Sequence, residues 1–163
     1  FPKVGKMPST TTMSDRVLLD AGVLLGALMK GDPRHAEARP LVEAARGGDL
    51  PACTTTGILS EVFAALTWQG ALPPHSPEVA AQAVRLLVDI PSAILVLSTG
   101  LETTLRMLEL ASRFHLTARR IHDARHAAIA LEAGVVKVYT YDVGDWRLFE
   151  PDGLRIVGPP SMI

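Results

Sequence analysis

The stretch RVLLDAGVLLGALM, Arg16 to Met29, decides how the rest of the chain is read. Val17-Leu18-Leu19 is a short apolar run without polar alternation, the pattern of a strand covered on both faces. It ends on a carboxylate, Asp20. From Gly22 to Met29 small and apolar residues continue as a helix, which Gly31-Asp32-Pro33 stops. A strand that runs through an acid into a helix is the first half of a βαβ unit.

The alternation recurs. His35 to Arg46 carries Ala38, Leu41, Val42 and Ala45 at helical spacing and is closed by Gly47-Gly48. Pro51 to Thr54 reads as a second strand, Thr56 caps a helix from Gly57 to Gln69, and Gly70 to Pro77 is a proline-rich turn. Glu78 to Asp89 is a helix closed by Pro91, and Ala93 to Leu97 is the third strand. Thr99 or Gly100 opens a helix reaching His115, and Arg119-Arg120 leads into another from Ile121 to Glu132, with Gly134 as its cap. Val135 to Thr140 is the fourth strand, Val143 to Phe149 a short helical turn, and Leu154 to Val157 the fifth strand. Strands alternating with helices predict an α/β domain, residues 16–163, with a parallel sheet and helices on both faces. Residues 1–15, FPKVGKMPSTTTMSD, are polar and aperiodic. They are read as a flexible or added extension and, lacking an apolar stretch, not as a signal peptide.

Hydrophobic residues make up 48% of the 163 and charged residues 20%, enough for a core and too apolar for a disordered chain. The single cysteine, Cys53, excludes an internal disulfide framework and a cysteine zinc site, and fits a reducing, cytoplasmic setting. The apolar run from Val17 to Met29 is broken by Asp20 and too short to cross a bilayer, so no membrane role is expected. The net charge is -1. Gathering four or five acids into one site would leave the remaining surface positive by three or four, so a polyanionic substrate stays open.

The placement of the acids narrows the chemistry. Ligands of open parallel sheets bind beyond the carboxyl ends of the strands, where strand order reverses. Asp20 follows the first strand directly. Asp142 follows the fourth, in Thr140-Tyr141-Asp142-Val143-Gly144-Asp145-Trp146. Glu61 and Asp123 sit near the starts of two apolar helices, from which they can point back to the strand ends. Singly, each has an ordinary reading. Glu61 or Asp123 complements a helix dipole, and Asp142 and Asp145 are turn residues. Asp20 is harder to place that way, because a carboxylate ending a buried strand needs a partner. Four converging carboxylates repel one another unless a cation neutralises them, and an all-oxygen cluster suits Mg²⁺ or Mn²⁺.

The order strand–Asp20, helix–Glu61, helix–Asp123, strand–Thr140-x-Asp142 lies in the blocks VLLDAGVLL, TTTGILSEVFAAL, IHDARHAAIALEAG and VYTYDVGDWRLF. From Arg16 to about Pro160 it resembles the PIN-domain family, and within it the VapC-type toxin ribonucleases of type II toxin–antitoxin systems. The resemblance implies a three-layer α/β/α fold, with a five-stranded parallel sheet in the order 3-2-1-4-5, so that Asp20 and Asp142 face one another. It implies a cytoplasmic, Mg²⁺- or Mn²⁺-dependent endoribonuclease, the toxin of a VapBC-type pair, which hydrolyses RNA with metal-activated water and leaves a 5′-phosphate. Asp20, Asp123 and Asp142 would be the principal ligands. Glu61 would be a ligand or the base that orients the attacking water, and Asp145 a ligand or a neighbour of one.

Thr140 would position that water, or serve only as a strand-end hydroxyl bonded to backbone. Arg119, Arg120 and Arg125, with Arg113, His115 and His126, would hold phosphates or form a solvated face. Trp68 and Trp146 read as packing residues. A homodimer and a cognate antitoxin are also implied; the apolar helices 57–69 and 100–114 are candidate surfaces for them, and core burial explains those helices as well. The family usually carries a small hydroxyl residue and often Asn after the first aspartate. Here Ala21 and Gly22 stand there, and a hydrogen-bonding group beside the metal is missing.

Rival readings explain less. His122-Asp123, with His75 and Asp142, mimics the order of an HD-type phosphohydrolase, but that family is wholly helical and leaves the strands unexplained. A dehalogenase-type phosphoryl aspartate needs an acid where Gly22 stands. No phosphate-cradling glycine loop and no Gly-x-Ser-x-Gly elbow is present. A PIN-like module that binds RNA or protein without cutting remains the alternative, kept open by Ala21-Gly22.

Overall fold

Leu18 and Leu19 are fully buried and Val17 nearly so, because β1 (Val17–Leu19) is the central strand of the sheet. The computed structural model describes residues 10–71 and 73–163. Around β1 lie β2 (Ala52–Thr55), β3 (Leu95–Leu97), β4 (Lys137–Tyr139) and β5 (Arg155–Gly158). They form a parallel five-stranded sheet in the expected order β3-β2-β1-β4-β5. Leu18 stands opposite Cys53 of β2 and Val138 of β4. Each fully buried leucine of β1 contributes about 1.5–3 kcal/mol relative to exposure.

Among the described residues, seven α-helices connect the strands: α1 (Ala21–Leu28), α2 (His35–Gly47), α3 (Thr56–Thr67), α4 (Pro77–Val88), α5 (Leu101–Arg113), α6 (Ile121–Ala133) and α7 (Val143–Trp146). The chain steps from β1 to β2 to β3, then crosses back to β4 and β5. Right-handed crossovers therefore put α1 to α4 on one face and α5 to α7 on the other. The contacts agree: α1 packs on α2 and α3, α3 on α4, and α5 on α6. The reversal falls between β1 and β4, so the residues following those two strands emerge side by side.

Several boundaries differ from the sequence reading. Thr55, not Thr56, caps α3, because Thr55 is still extended (φ -118°, ψ 157°) and its hydroxyl accepts the Ile58 N–H at 3.0 Å. Ser76 caps α4 in the same manner, with Pro77 in the first helical position, where its missing N–H costs nothing. The third and fourth strands are shorter than expected, and Val135, Val136 and Thr140 fall outside the β4 ladder. Gly134 ends α6 in the left-handed region (φ 85°), as its capping role requires. Part of the expected extension, residues 1–9, lies outside the described residues. The rest is not a plain tail: Met13–Asp15 forms a 3₁₀ turn whose Asp15 carboxylate accepts the Thr12 N–H at 2.8 Å, and Met13 packs on the core.

Candidate active site

Asp20 is held from three directions. As the cap of α1 it accepts the Ala21 N–H on Oδ1 at 2.9 Å. On Oδ2 it accepts the Thr140 hydroxyl at 2.7 Å and the Trp146 indole N–H at 3.0 Å. The residue is only 5% exposed. Burial pushes its carboxyl above the ordinary carboxylate range, and the donated hydrogen bonds pull the other way. The partner that a buried strand-end acid requires is thus a set of neutral donors.

Thr140, fully buried, links two acids: its hydroxyl donates to Asp20 and accepts the Asp142 N–H at 3.0 Å. Trp146 packs as expected, edge to face with Phe149 at 5.8 Å. Its polar role was missed. The available signal was its spacing, one helical turn beyond the strand-end Asp142.

The second group of side chains comes from α3 and α6. Glu61 Oε1 lies 2.9 Å from His126 Nε2, and His126 Nδ1 lies 3.0 Å from the Thr55 hydroxyl. With the Thr55 hydrogen on Nδ1, the ring carries its own hydrogen on Nε2 and donates it to Glu61. His126 is fully buried, so it holds Glu61 and no phosphate, which corrects its place among the cations expected to face the substrate. Gly57 allows this approach of the two helices, since a Cβ there would stand 2.9 Å from the His126 ring. Asp123, in the first turn of α6, has its carboxyl pushed up to about 7. Burial is the main cause, and the negative charges of Asp20, Asp145 and Glu61 add to it.

Glu61, Asp123 and Asp145 line a cleft of about 260 Å³ together with Arg119, Arg120 and His122. Asp20 lies buried and Asp142 lies outside this lining, although Asp142 still raises the Asp20 carboxyl. Arg119 and Arg120 are exposed at the cleft. Arg120 pairs with Asp145 at 3.1 Å, a surface pair worth about 0–1 kcal/mol. Two of the other expected cations go elsewhere. Arg125 packs over Gly57 at the start of α3, and Arg113 pairs with the buried Asp152 carboxylate and stacks on Phe114.

Among the described residues, no three His, Cys, Asp or Glu side chains stand close enough to hold one ion as they are placed. The donor chemistry nevertheless fits a hard divalent cation. Every candidate donor is a carboxylate oxygen, and the negative charges that add to the effect of burial on Asp123 are ones a cation would neutralise.

This crowding has a measurable consequence for stability. The ordinary aspartate value is 3.8, and Asp123 in the fold is at about 7, so ionising it costs the folded chain more than the unfolded one. Its contribution is full below pH 3.8 and is lost as pH rises through about 7. In chelator, the melting temperature is expected to fall between about pH 5 and pH 8 relative to an Asp123→Asn variant. Added Mg²⁺ should restore more at the higher pH. Parallel slopes for parent and variant would contradict this electrostatic picture.

The family model of the PIN domain matches residues 17–146 of the chain. The crystal structure of the Mycobacterium tuberculosis toxin VapC20, described as cleaving the sarcin-ricin loop, superposes with a TM-score of 0.66 at 21% identity, covering 88% of this chain and 99% of that one. The DNA-bound VapBC of Salmonella typhimurium gives 0.57 at 17% identity, covering 87% of this chain and 96% of that one. VapBC-1 of nontypeable Haemophilus influenzae gives 0.59 at 17% identity, covering 86% and 96%. Among curated proteins, no match to the sequence is found. At these identities the solved structures establish a shared fold.

Proposed function

The chain belongs to the PIN-domain family, and from that premise we propose that it is a metal-dependent endoribonuclease, the toxin of a VapBC-type toxin–antitoxin pair. The observation that carries this reading is the placement of acids at one end of the sheet, where burial, with the charges of Asp20, Asp145 and Glu61 added, pushes Asp123 up to about 7. A module that only binds has no use for mutually repelling carboxylates. The solved structures described as a VapC toxin and as VapBC complexes support the toxin assignment.

Asp20, Asp123, Asp142 and Glu61 would hold the ion, Mg²⁺ or Mn²⁺, directly or through water, with Asp145 beside Asp123. Once bound, the ion would supply Lewis-acid charge at the scissile phosphate and ease deprotonation of the attacking water. The chain's own part is positioning. Thr140 and Trp146 fix Asp20, and His126 fixes one oxygen of Glu61, leaving the other to accept a proton from that water. Arg119, Arg120 and His122 would hold flanking phosphates in the cleft.

An antitoxin and a second copy of the chain are the expected partners. Of the two helices suggested from sequence, α5 leaves Leu101, Leu105 and Leu108 exposed along one stripe, whereas α3 buries Ile58, Val62 and Leu66. Action on cellular RNA would place the protein in the cytoplasm. No helix among the described residues is long and apolar enough to cross a membrane.

The direct test is incubation of the purified chain, freed of any bound partner, with total cellular RNA in Mg²⁺, Mn²⁺ or EDTA. Metal-dependent cleavage leaving 5′-phosphates is expected. RNA left intact with either metal would favour the non-cutting module instead.

The His126–Glu61 contact gives a second test. His126→Ala is expected to lower cleavage by about 10–100-fold, because Glu61 loses its anchor. His126→Gln, whose amide can still donate to Glu61, should recover part of the loss. Equal rates for the two variants would remove His126 from the reaction.

A further inference from the structure

Gly22 occupies the position at which the chain departs from the family pattern, and the space left by its missing side chain is filled. A Cβ at Gly22 would lie 2.9 Å from Arg34 Nη1 and 3.8 Å from the Tyr141 ring. Arg34, at the turn before α2, is pinned on two sides. Its Nε and Nη2 donate to the two Asp32 oxygens at 2.8 and 2.6 Å. Its guanidinium lies over Tyr141, 5.3 Å from the ring centre.

Tyr141 is fixed in turn. Its hydroxyl donates to Glu37 at 2.8 Å, and Glu37 also accepts the Ser161 N–H and hydroxyl at 3.0 and 2.6 Å. The arginine fork has five N–H groups, and the contacts with Asp32 use two of them. Nη1, beside Gly22, has no acceptor among the described residues, and the side chain is 35% exposed. Gly22 follows Asp20 by two residues, Tyr141 precedes Asp142, and the Asp142 charge acts on Arg34. A rigidly held fork with a free edge therefore stands where β1 and β4 end, outside the cleft lined by Arg119 and Arg120.

We propose that Arg34 is a backbone-phosphate contact for RNA on the Asp142 side of the site, and that Gly22 is the residue that makes room for it. The inference rests on the ribonuclease reading. Phosphate is the ligand favoured by the chemistry, because the free edge presents two parallel N–H groups beside the acids where a scissile phosphodiester would lie. The fork is already ordered by Asp32 and Tyr141, so little side-chain freedom is lost when it binds.

The test measures binding of a mixed-sequence, single-stranded RNA of about 20 nucleotides in Mg²⁺, across a salt series, with Asp123→Asn as the parent to prevent cleavage. Adding Arg34→Ala is expected to weaken binding about tenfold and to reduce the slope of log K against log salt by about 0.7. Arg34→Lys should recover part of the affinity. Gly22→Ala should weaken binding in the same direction, because its Cβ displaces Nη1. Arg85→Ala, on exposed α4, should change nothing. With Asp123 intact, Arg34→Ala should raise KM more than it lowers kcat.

A purely structural Arg34 would lower the melting temperature and leave the salt slope alone, and that result overturns the proposal. So does unchanged RNA affinity together with weakened binding of a co-expressed antitoxin, which would make Arg34 a protein contact. If the unmutated chain cleaves no RNA and the parent binds none, the ribonuclease reading fails and takes this one with it. If both hold and Arg34→Ala matches the parent, only this inference falls.

Discussion

Replacing Asp123 with Asn is expected to slow RNA cleavage by roughly a thousandfold or more, about 4 kcal/mol of transition-state stabilisation, while making the metal-free chain more stable at neutral pH. The two effects have one cause. Asp123 is partly buried, and that burial, with the negative charges of Asp20, Asp145 and Glu61 added, pushes its carboxyl up to about 7. The amide keeps the shape and removes the charge. It relieves the repulsion in the empty site, and it also removes a donor that a divalent cation would need. An acid placed only to complement the first turn of α6 behaves in the opposite way, because neutralising it costs helix stability. Cleavage rates and thermal melts in chelator at about pH 8 separate the cases. Activity within a few-fold of the parent would take Asp123 out of the reaction, and a lowered melting temperature would return it to the helix-dipole role.

Trp146 carries the largest expected effect on stability. It is fully buried against Phe149 and gives its indole N–H to Asp20. Trp146→Ala is expected to cost about 3–5 kcal/mol, from lost burial and the cavity left behind. Trp146→Phe keeps most of the packing and removes the donor. That variant is expected to lose about 1 kcal/mol of stability and about 10–100-fold of activity, as Asp20 loses one of the groups that orient it. Urea titrations and cleavage assays on both variants separate packing from orientation. A Phe variant as active as the parent would show that the indole N–H does nothing for the reaction.

Much of the fold was legible in short windows. The unbroken Val17-Leu18-Leu19 run, the helical spacing of Ala38, Val42 and Ala45, and the glycine after α6 each report a local condition: burial on two faces, one apolar stripe, or a left-handed cap. Local windows misplaced edges and missed the 3₁₀ turn at Met13–Asp15, whose Met13 packs on the core. Thr55 and Thr56 look alike in sequence, and the backbone angle alone decides which hydroxyl reaches the Ile58 N–H. The positions of the acids after strands or near helix starts were legible for the same local reason. The strand order came from the resemblance to the family, and the sheet has that order.

The partners of those acids were not legible. The Trp146 indole reaches Asp20 across 126 residues, His126 reaches Glu61 across 65, and Thr55 reaches His126 across 71. No window spans such separations, and any of these side chains taken alone is an ordinary packing or surface residue. The fate of the cations shows the same limit. Arg113, Arg119, Arg120 and Arg125 are close in sequence, yet the fold sends Arg113 to Asp152 and Arg125 over Gly57, and leaves Arg119 and Arg120 at the cleft. Periodicity and capping are settled by neighbours within a few residues, so the sequence alone determined the elements and the ends that bear the acids. Which side chains meet there depends on the reversal of strand order between β1 and β4, a property of the assembled sheet, and only the tertiary structure decided it.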